Sequence, residues 1–245
     1  MRKALVVGGA NGIGLSIATQ LACDEDYEKI YIIDKVVIDK EFSNHKFEMI
    51  QFDLNSDDYS IFKGLKDIDT LMITAGFGKL ALFKDVSQQY ITTSFNVNTI
   101  APIRIIHHFM DRLTGPDDFR CGVMVSIAGF LSSPFFAVYG ATKAALKIFI
   151  ESVNVELEKA GSSNRILNVS PGSISGTGFS QGKTDLTLIS NLADEIIAHL
   201  EAKDDLFIPQ YDTIYSAVLA RYHEDFREEG RHSYDYKLNR IKNID

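Results

Sequence analysis

Cysteine is scarce: Cys23 and Cys121 are the two thiols of the chain. One lies in a helix-like stretch and the other opens an apolar strand, so a disulfide framework is excluded and both read as reduced structural residues. Clusters of Lys and Arg are missing too. With 25 basic against 33 acidic residues the formal net charge is -8, which speaks against a nucleic-acid surface. There is no long hydrophobic run. The apolar part of MRKALVVGGA is cut short by glycines, which excludes a signal peptide or a membrane span at this end. A soluble cytoplasmic protein is expected, with neither nucleic acid nor membrane as a partner. No repeat, low-complexity tract or linker divides the 245 residues, and 45% hydrophobic content is enough for a substantial core, so one domain spanning residues 1–245 is expected.

Glycine is concentrated near the start. The apolar run Lys3–Val7 leads into Gly8, Gly9, Ala10, Asn11, Gly12, Ile13 and Gly14, followed by a helical pattern from Leu15 to Ala22. A strand, a glycine turn and a helix make a phosphate-binding start, because glycines let backbone amides approach a pyrophosphate and the helix N-terminus favours its negative charge. Gly8, Asn11, Gly12, Ile13 and Gly14 are the expected contacts, although a glycine turn needing only positive φ reads the same way. The next strand, Lys29–Ile33, ends in Asp34, 34 − 14 = 20 residues after the last glycine. A carboxylate there accepts the adenosine ribose hydroxyls and repels a 2′-phosphate, which favours NAD over NADP. Lys35 beside it is a basic group that tolerates a phosphate, and a strand-end Asp also caps turns. After the third strand, Phe47–Phe52, Asp53 and Leu54 are placed to meet an adenine amino group and cover its ring, with turn formation the alternative for Asp53. After the fourth, Thr70–Ile73, small residues Thr74, Ala75 and Gly76 let backbone come close to a ribose. Strands separated by helical stretches behind a glycine loop predict an α/β class. The expected fold is a doubly wound Rossmann-type three-layer sandwich with a mostly parallel sheet of about seven strands.

Asp85–Leu113 reads as one long helix with Pro102 near its middle, which removes a hydrogen bond and frees carbonyls around Asn98. Asn98 either faces a site or satisfies the kink. His107 and His108 point in different directions and read as surface or interface residues, and no metal ligands are expected. The run GVMVSIAG is a buried strand and small-residue turn that releases the Ser126 hydroxyl at a strand's carboxyl end, where open α/β sheets bind substrates. The helix Ala137–Lys159 then carries Tyr139 and Lys143 four residues apart, hence on one face. A fixed ammonium beside a phenol favours the phenolate and is expected to bring a group that titrates near ~10 toward neutrality, making Tyr139 a general acid or base. A half-buried tyrosine with a solvated lysine is the plainer reading of that spacing alone. The sixth strand, Asn164–Ser170, ends at Pro171-Gly172, and Ser173–Asp185 reads as a mobile loop beside the site. Leu188–Leu200 is amphipathic, Leu206–Ile208 a last short strand, and Tyr211–Glu224 a helix. The charged end from Phe226 is expected to run over the surface or a neighbouring subunit. Phe130, Phe135, Phe136 and Phe179 suggest apolar pocket walls.

In combination these residues resemble the short-chain dehydrogenase/reductase family, in its single-domain branch of roughly 250 residues. The resemblance covers Lys3 to about Thr177: the Gly-x-x-x-Gly-x-Gly loop at Gly8, Gly12 and Gly14, the acids Asp34 and Asp53, then Asn98, Ser126, Tyr139 with Lys143, and Pro171 with Gly172. It implies a catalytic tetrad of Asn98, Ser126, Tyr139 and Lys143. Ser126 and Tyr139 would hold the substrate oxygen, and Tyr139 would pass a proton as hydride moves to or from nicotinamide. Lys143 would bind the nicotinamide ribose, Asn98 a relay water, and Ile174 and Thr177 the carboxamide and pyrophosphate. Two departures matter: Ile73-Thr74-Ala75-Gly76 stands where the family has Asn-Asn-Ala-Gly, and Val7 stands where it has Thr. Both are expected to weaken local hydrogen bonding. The implied activity is NAD-dependent interconversion of a small-molecule alcohol and carbonyl in a homodimer or homotetramer. A non-catalytic NAD(P)-binding sensor or scaffold is the alternative.

Overall fold

The computed structural model describes residues 1–180 and 183–242. Seven strands form one sheet: β1 Arg2–Val7, β2 Tyr27–Asp34, β3 Phe47–Gln51, β4 Thr70–Ile73, β5 Arg120–Met124, β6 Ile166–Val169 and β7 Leu206–Phe207. Their order is β3-β2-β1-β4-β5-β6-β7, and every pairing is parallel. The helices are α1 Gly12–Cys23, α2 Gln88–Phe95, α3 Ala101–His108, α4 Met110–Thr114, α5 Ala137–Lys159, α6 Leu186–Ala202, α7 Ser216–Glu224 and α8 Phe226–Lys242.

A parallel sheet with helices on both faces buries alternate residues of each strand in two different cores, so its strands are apolar throughout. β1 behaves this way. Leu5 and Val7 pack with Ile105 of α3, Phe109 just after it, and Leu146 and Ile150 of α5 on one face. Ala4 and Val6 pack with Ile17, Leu21, Ala193 and Ile196 of α1 and α6 on the other. The doubly wound three-layer architecture follows. The strand order reverses between β1 and β4, and at such a switch point a crevice opens outside the strands' carboxyl ends.

Three expectations need correction. The stretch Asp85–Leu113 is broken: Asp85 ends a short turn, Phe83–Asp85, and α2 starts at Gln88 with the Ser87 hydroxyl accepting from the Tyr90 amide. A π-turn, Asn96–Ile100, then leads into α3, whose second residue is Pro102. A proline has no N–H for the carbonyl four residues back, which is that of Asn98, so the helix widens before it. The stretch Phe226–Lys242 is a helix, α8, held on the Ser132–Phe136 loop. His108 is half-buried rather than a surface residue, with Nε2 2.8 Å from the Phe62 carbonyl. Gln181 and Gly182, part of the expected mobile loop, lie outside the described residues.

Candidate active site

α5 buries Tyr139, Lys143, Leu146, Ile150 and Val153, a stripe at three- and four-residue spacing that turns the Tyr-x-x-x-Lys pair toward the sheet. Both polar groups are thereby taken out of water. The Lys143 ammonium donates to the Met124 carbonyl at 2.7 Å and lies 5.8 Å from the Tyr139 ring centre. Ser126 follows β5; its Oγ accepts from the Ala128 amide at 3.2 Å and donates to the Pro171 carbonyl at 3.4 Å. That carbonyl also accepts the Ile127 amide, so the ends of β5 and β6 are tied together at the serine.

Electrostatics here run against expectation. Burial pushes the Tyr139 phenol up to about 12, with the Ser126 hydroxyl pulling it partly back. Burial also pushes the Lys143 amine down to about 7. The acidified tyrosine read from the spacing is therefore not the state of this site, because desolvation penalises the charged form of each group and the neighbour that lowers the phenol is Ser126. At neutral pH Tyr139 is a protonated donor.

Asn98 is brought to the same place by a different route. Its Nδ2 donates to the Phe77 carbonyl at 2.9 Å and to Thr142 Oγ1 at 3.2 Å, and its Oδ1 accepts the Phe77 amide at 3.0 Å. The side-chain amide is fully committed, so a water held by Asn98 falls to its main-chain carbonyl, which Pro102 leaves without an α-helical donor. A Cβ at Gly76 would stand 3.3 Å from both Asn98 Oδ1 and Lys143 Nζ, so Gly76, Asn98 and Lys143 converge.

The glycine loop fits a dinucleotide. A Cβ on Gly8 would meet the Ala75 amide nitrogen at 2.4 Å, and one on Gly14 would meet the Gly8 carbonyl at 2.2 Å, so only glycine allows the first turn of α1 to sit against β4. Asn11 caps α1 without a side-chain hydrogen bond. The Gly12 amide, at φ +54, donates to Thr184 Oγ1 at 3.0 Å. A donor at the α1 N-terminus thus already takes a side-chain oxygen, the kind of acceptor a phosphate offers. The next residue, Ile13, is half-buried and packs on the α1 and α6 core. Thr177 is buried against Gly12, and its hydroxyl donates to the Ile174 carbonyl at 3.0 Å. Thr74 makes good the departure from the family pattern, its hydroxyl 3.0 Å from both the Val7 and Gly8 carbonyls.

The other cofactor candidates are placed as follows. Asp34 Oδ2 accepts the Ala10 amide at 3.1 Å and Oδ1 the Val36 amide at 3.3 Å, joining the end of β2 to the glycine loop, while Lys35 is exposed. Asp53 Oδ1 accepts the Asn55 amide at 2.8 Å, the turn-forming role, and Leu54 is buried. Gly172 has a reason of its own: a Cβ there would lie 1.6 Å from the Tyr215 hydroxyl.

Of the four phenylalanines, Phe136 and Phe179 flank Tyr139, at 5.4 and 5.2 Å between ring centres. Phe135 lines the small cavity beside Tyr139 while its ring packs on Tyr234 of α8, and Phe130 lies under the Lys147 ammonium. Tyr90 was not legible as part of the site. It lines a cavity with Phe136 and Tyr139, and its hydroxyl accepts the Lys79 amide at 2.8 Å. An aromatic on a short polar helix carries no signal of which loop it will meet.

A family model described as short chain dehydrogenase matches residues 2–186. The chain is 26% identical over 212 residues to the uncharacterized oxidoreductase TDA5 of Saccharomyces cerevisiae, which covers 80% of this chain and 64% of that protein, short of two thirds of its length. Among solved structures, a short-chain dehydrogenase from Streptomyces avermitilis superposes with a TM-score of 0.75 at 18% identity, over 98% of this chain and 99% of that one. A short-chain dehydrogenase from Sphingobium yanoikuyae in complex with NADPH gives 0.72 at 21% identity, over 89% and 93%.

Proposed function

The chain belongs to the short-chain dehydrogenase/reductase family, and on that premise we propose that it is a single-domain, nicotinamide-dependent oxidoreductase that interconverts a small-molecule alcohol and its carbonyl. The observation that carries the reading is the meeting of Ser126, Tyr139 and Lys143 beyond β5, beside a glycine cradle at the β1–β4 switch point. A sensor that only binds a nucleotide has no use for this buried, costly trio.

Gly8, Asn11, Gly12, Ile13 and Gly14 would hold the pyrophosphate, Asp34 the adenosine ribose, and Asp53 and Leu54 the adenine. Ala75, Gly76, Pro171, Gly172, Ile174 and Thr177 would line the nicotinamide half. The dinucleotide supplies the hydride donor or acceptor; all else is the chain's own work. Tyr139 and Ser126 hold the substrate oxygen. Tyr139 hands its proton to that oxygen in reduction and takes one in oxidation. Lys143 would re-protonate the phenol through a water held at the Asn98 carbonyl and would bind the ribose beside it. Asp34 supports NAD over NADP, because a carboxylate repels a 2′-phosphate; the NADPH held by the Sphingobium protein keeps both cofactors in the test. The outer face of α5, with Ile148 and Val155 each 57% exposed, is the surface for a homodimer or homotetramer, checked by the mass in solution. The two free thiols support a cytoplasmic setting, checked by imaging a tagged chain.

The test is Tyr139→Phe, with ketone reduction followed by loss of NADH absorbance. The expected fall in kcat is at least about a hundredfold, the span of a positioned proton donor, with NADH affinity by fluorescence within about twofold of wild type. Retained turnover overturns the role. Asp34→Ala should raise NADPH affinity relative to NADH; an unchanged ratio overturns the NAD preference.

A further inference from the structure

Two threonines of the segment between β6 and α6 stand at Gly12, and their hydroxyls do different things. Thr177 is buried, with its Cβ 3.7 Å from where a Gly12 Cβ would lie, and its hydroxyl turns back to the Ile174 carbonyl at 3.0 Å. Thr184 is half-buried and lends its hydroxyl oxygen to the Gly12 amide at 3.0 Å. A single N–H aimed at one acceptor has little left for another, because hydrogen bonds weaken steeply away from linear. A phosphate oxygen arriving at the first turn of α1 therefore competes with Thr184 for this donor.

The fold holds the hydroxyl there. Asp185, the next residue, donates its amide to the Gly176 carbonyl at 3.0 Å and caps α6 by accepting the Thr187 amide. Gly176, at φ +78, lets these two points close on each other, since a Cβ there would stand 3.0 Å from the Asp185 carbonyl oxygen. Thr184 is thus the last residue before a pinned joint, and its reach to Gly12 is set by the start of α6. It also has somewhere to go. Thr184 lines an open groove of about 540 Å³ between the Lys40–Phe42 turn and α6, with Glu41, Phe42, Gly176, Lys183 and Leu188 around it. Rotation about χ1 moves the hydroxyl off the amide and leaves the backbone joint as it is.

We propose that Thr184 is a latch on the dinucleotide site: its hydroxyl stands in for a phosphate oxygen at Gly12 and is displaced when a pyrophosphate takes that amide, so this one side chain holds cofactor affinity down. The inference rests on the oxidoreductase reading and adds to it a residue that weakens binding. Thr184 takes no part in the proton or hydride steps.

The experiment titrates NADH, NADPH and ADP, which share the pyrophosphate, into the full chain as wild type, Thr184→Val, Thr184→Ala and Thr184→Ser. Nicotinamide fluorescence reports the first two and calorimetry the third. Thr184→Val and Thr184→Ala are expected to tighten each nucleotide that wild type binds by about two- to tenfold, the span of one net hydrogen bond, and by the same factor for each. Thr184→Ser keeps the hydroxyl and should bind as wild type does. Val and Ala variants that bind equally well or more weakly overturn the latch and leave the oxidoreductase reading in place. So does tightening that Thr184→Ser shares, because the methyl and not the hydroxyl is then at work, or tightening confined to one nucleotide. A chain that binds none of the three in any variant overturns both. Melting curves identify a variant that misfolds, and the other of the Val and Ala pair then decides.

Discussion

Lys143→Met is expected to make the protein more stable and inactive. The amine ordinarily titrates at 10.5 and is held at about 7 by burial. Each tenfold in proton affinity is worth about 1.4 kcal/mol, so carrying this group costs the fold roughly 4–5 kcal/mol at neutral pH. Methionine fills a similar volume without the charge, but it leaves the Met124 carbonyl, now 2.7 Å from Nζ, without its donor, at a cost of about 1–3 kcal/mol. The net gain is on the order of 2 kcal/mol, or a rise in Tm of roughly 4–8 °C for a chain of this length. The sign with pH is fixed by the direction of the change. Between pH 7 and 10.5 the unfolded chain binds a proton that the folded chain rejects, so wild-type stability rises with pH relative to the variant. The variant's advantage should be full below pH 7, shrink through pH 8 to 10, and reverse once the amine is neutral in both states. Urea unfolding of both proteins without ligand at pH 7, 8, 9 and 10 isolates this one group, since all others cancel in the difference. A difference that does not change with pH would refute the reasoning, because a buried, uncharged amine must leave that slope.

Three other outcomes follow from particular contacts. Asn98→Ala removes three side-chain hydrogen bonds that clamp Phe77 and Thr142, and should cost about 2–4 kcal/mol in urea unfolding; a loss under about 1 kcal/mol would contradict the clamp. Burial holds the Cys121 thiol up at about 12 while Cys23 is exposed, so a thiol reagent at pH 8 should label one cysteine in the native protein and two in denaturant, and rapid labelling of both would count against the buried position. Gln210 is exposed at φ +61, where glycine relieves the strain, so Gln210→Gly should stabilise by about 0.5–1 kcal/mol; destabilisation would mean that the side chain has a role of its own.

The strands were legible because a parallel sheet buries both faces and leaves continuous apolar runs, bounded here by glycine, proline or Asp. α5 was legible from end to end because its buried stripe is long and regular. Its long neighbour was not, since periodicity alone passes through a π-turn; Pro102 marked the place, but not the widening that turns Asn98 toward Phe77. The convergence of Asn98, Lys143 and Gly76 was legible only as a pattern of residue types. Which way the phenol and the amine titrate depends on how much water reaches them, a property of the packed site and not of a four-residue spacing. The last helix was the least legible. Its composition is charged, its hold on the loop runs through Tyr234, Lys237 and the Phe226 carbonyl, and nothing in the sequence near Phe226 pairs it with Ser132–Phe136.

The pair at the centre of the site sets a limit on how a tyrosine can be made basic here. To act as a base near neutral pH the phenol must come down from about 12 by some five powers of ten, or about 7 kcal/mol. Even at contact range, about 4 Å, a full positive charge contributes about 4 kcal/mol at an effective dielectric constant of ~20, and less when the amine, held at about 7, is only part protonated. The lysine alone therefore falls short of what oxidation of an alcohol requires, while reduction of a carbonyl, which uses the protonated phenol, requires none of it. Whatever makes Tyr139 a base must add further stabilisation of the phenolate, by charge or by hydrogen bonds such as that of Ser126, and until it does the resting protein is set up to donate a proton.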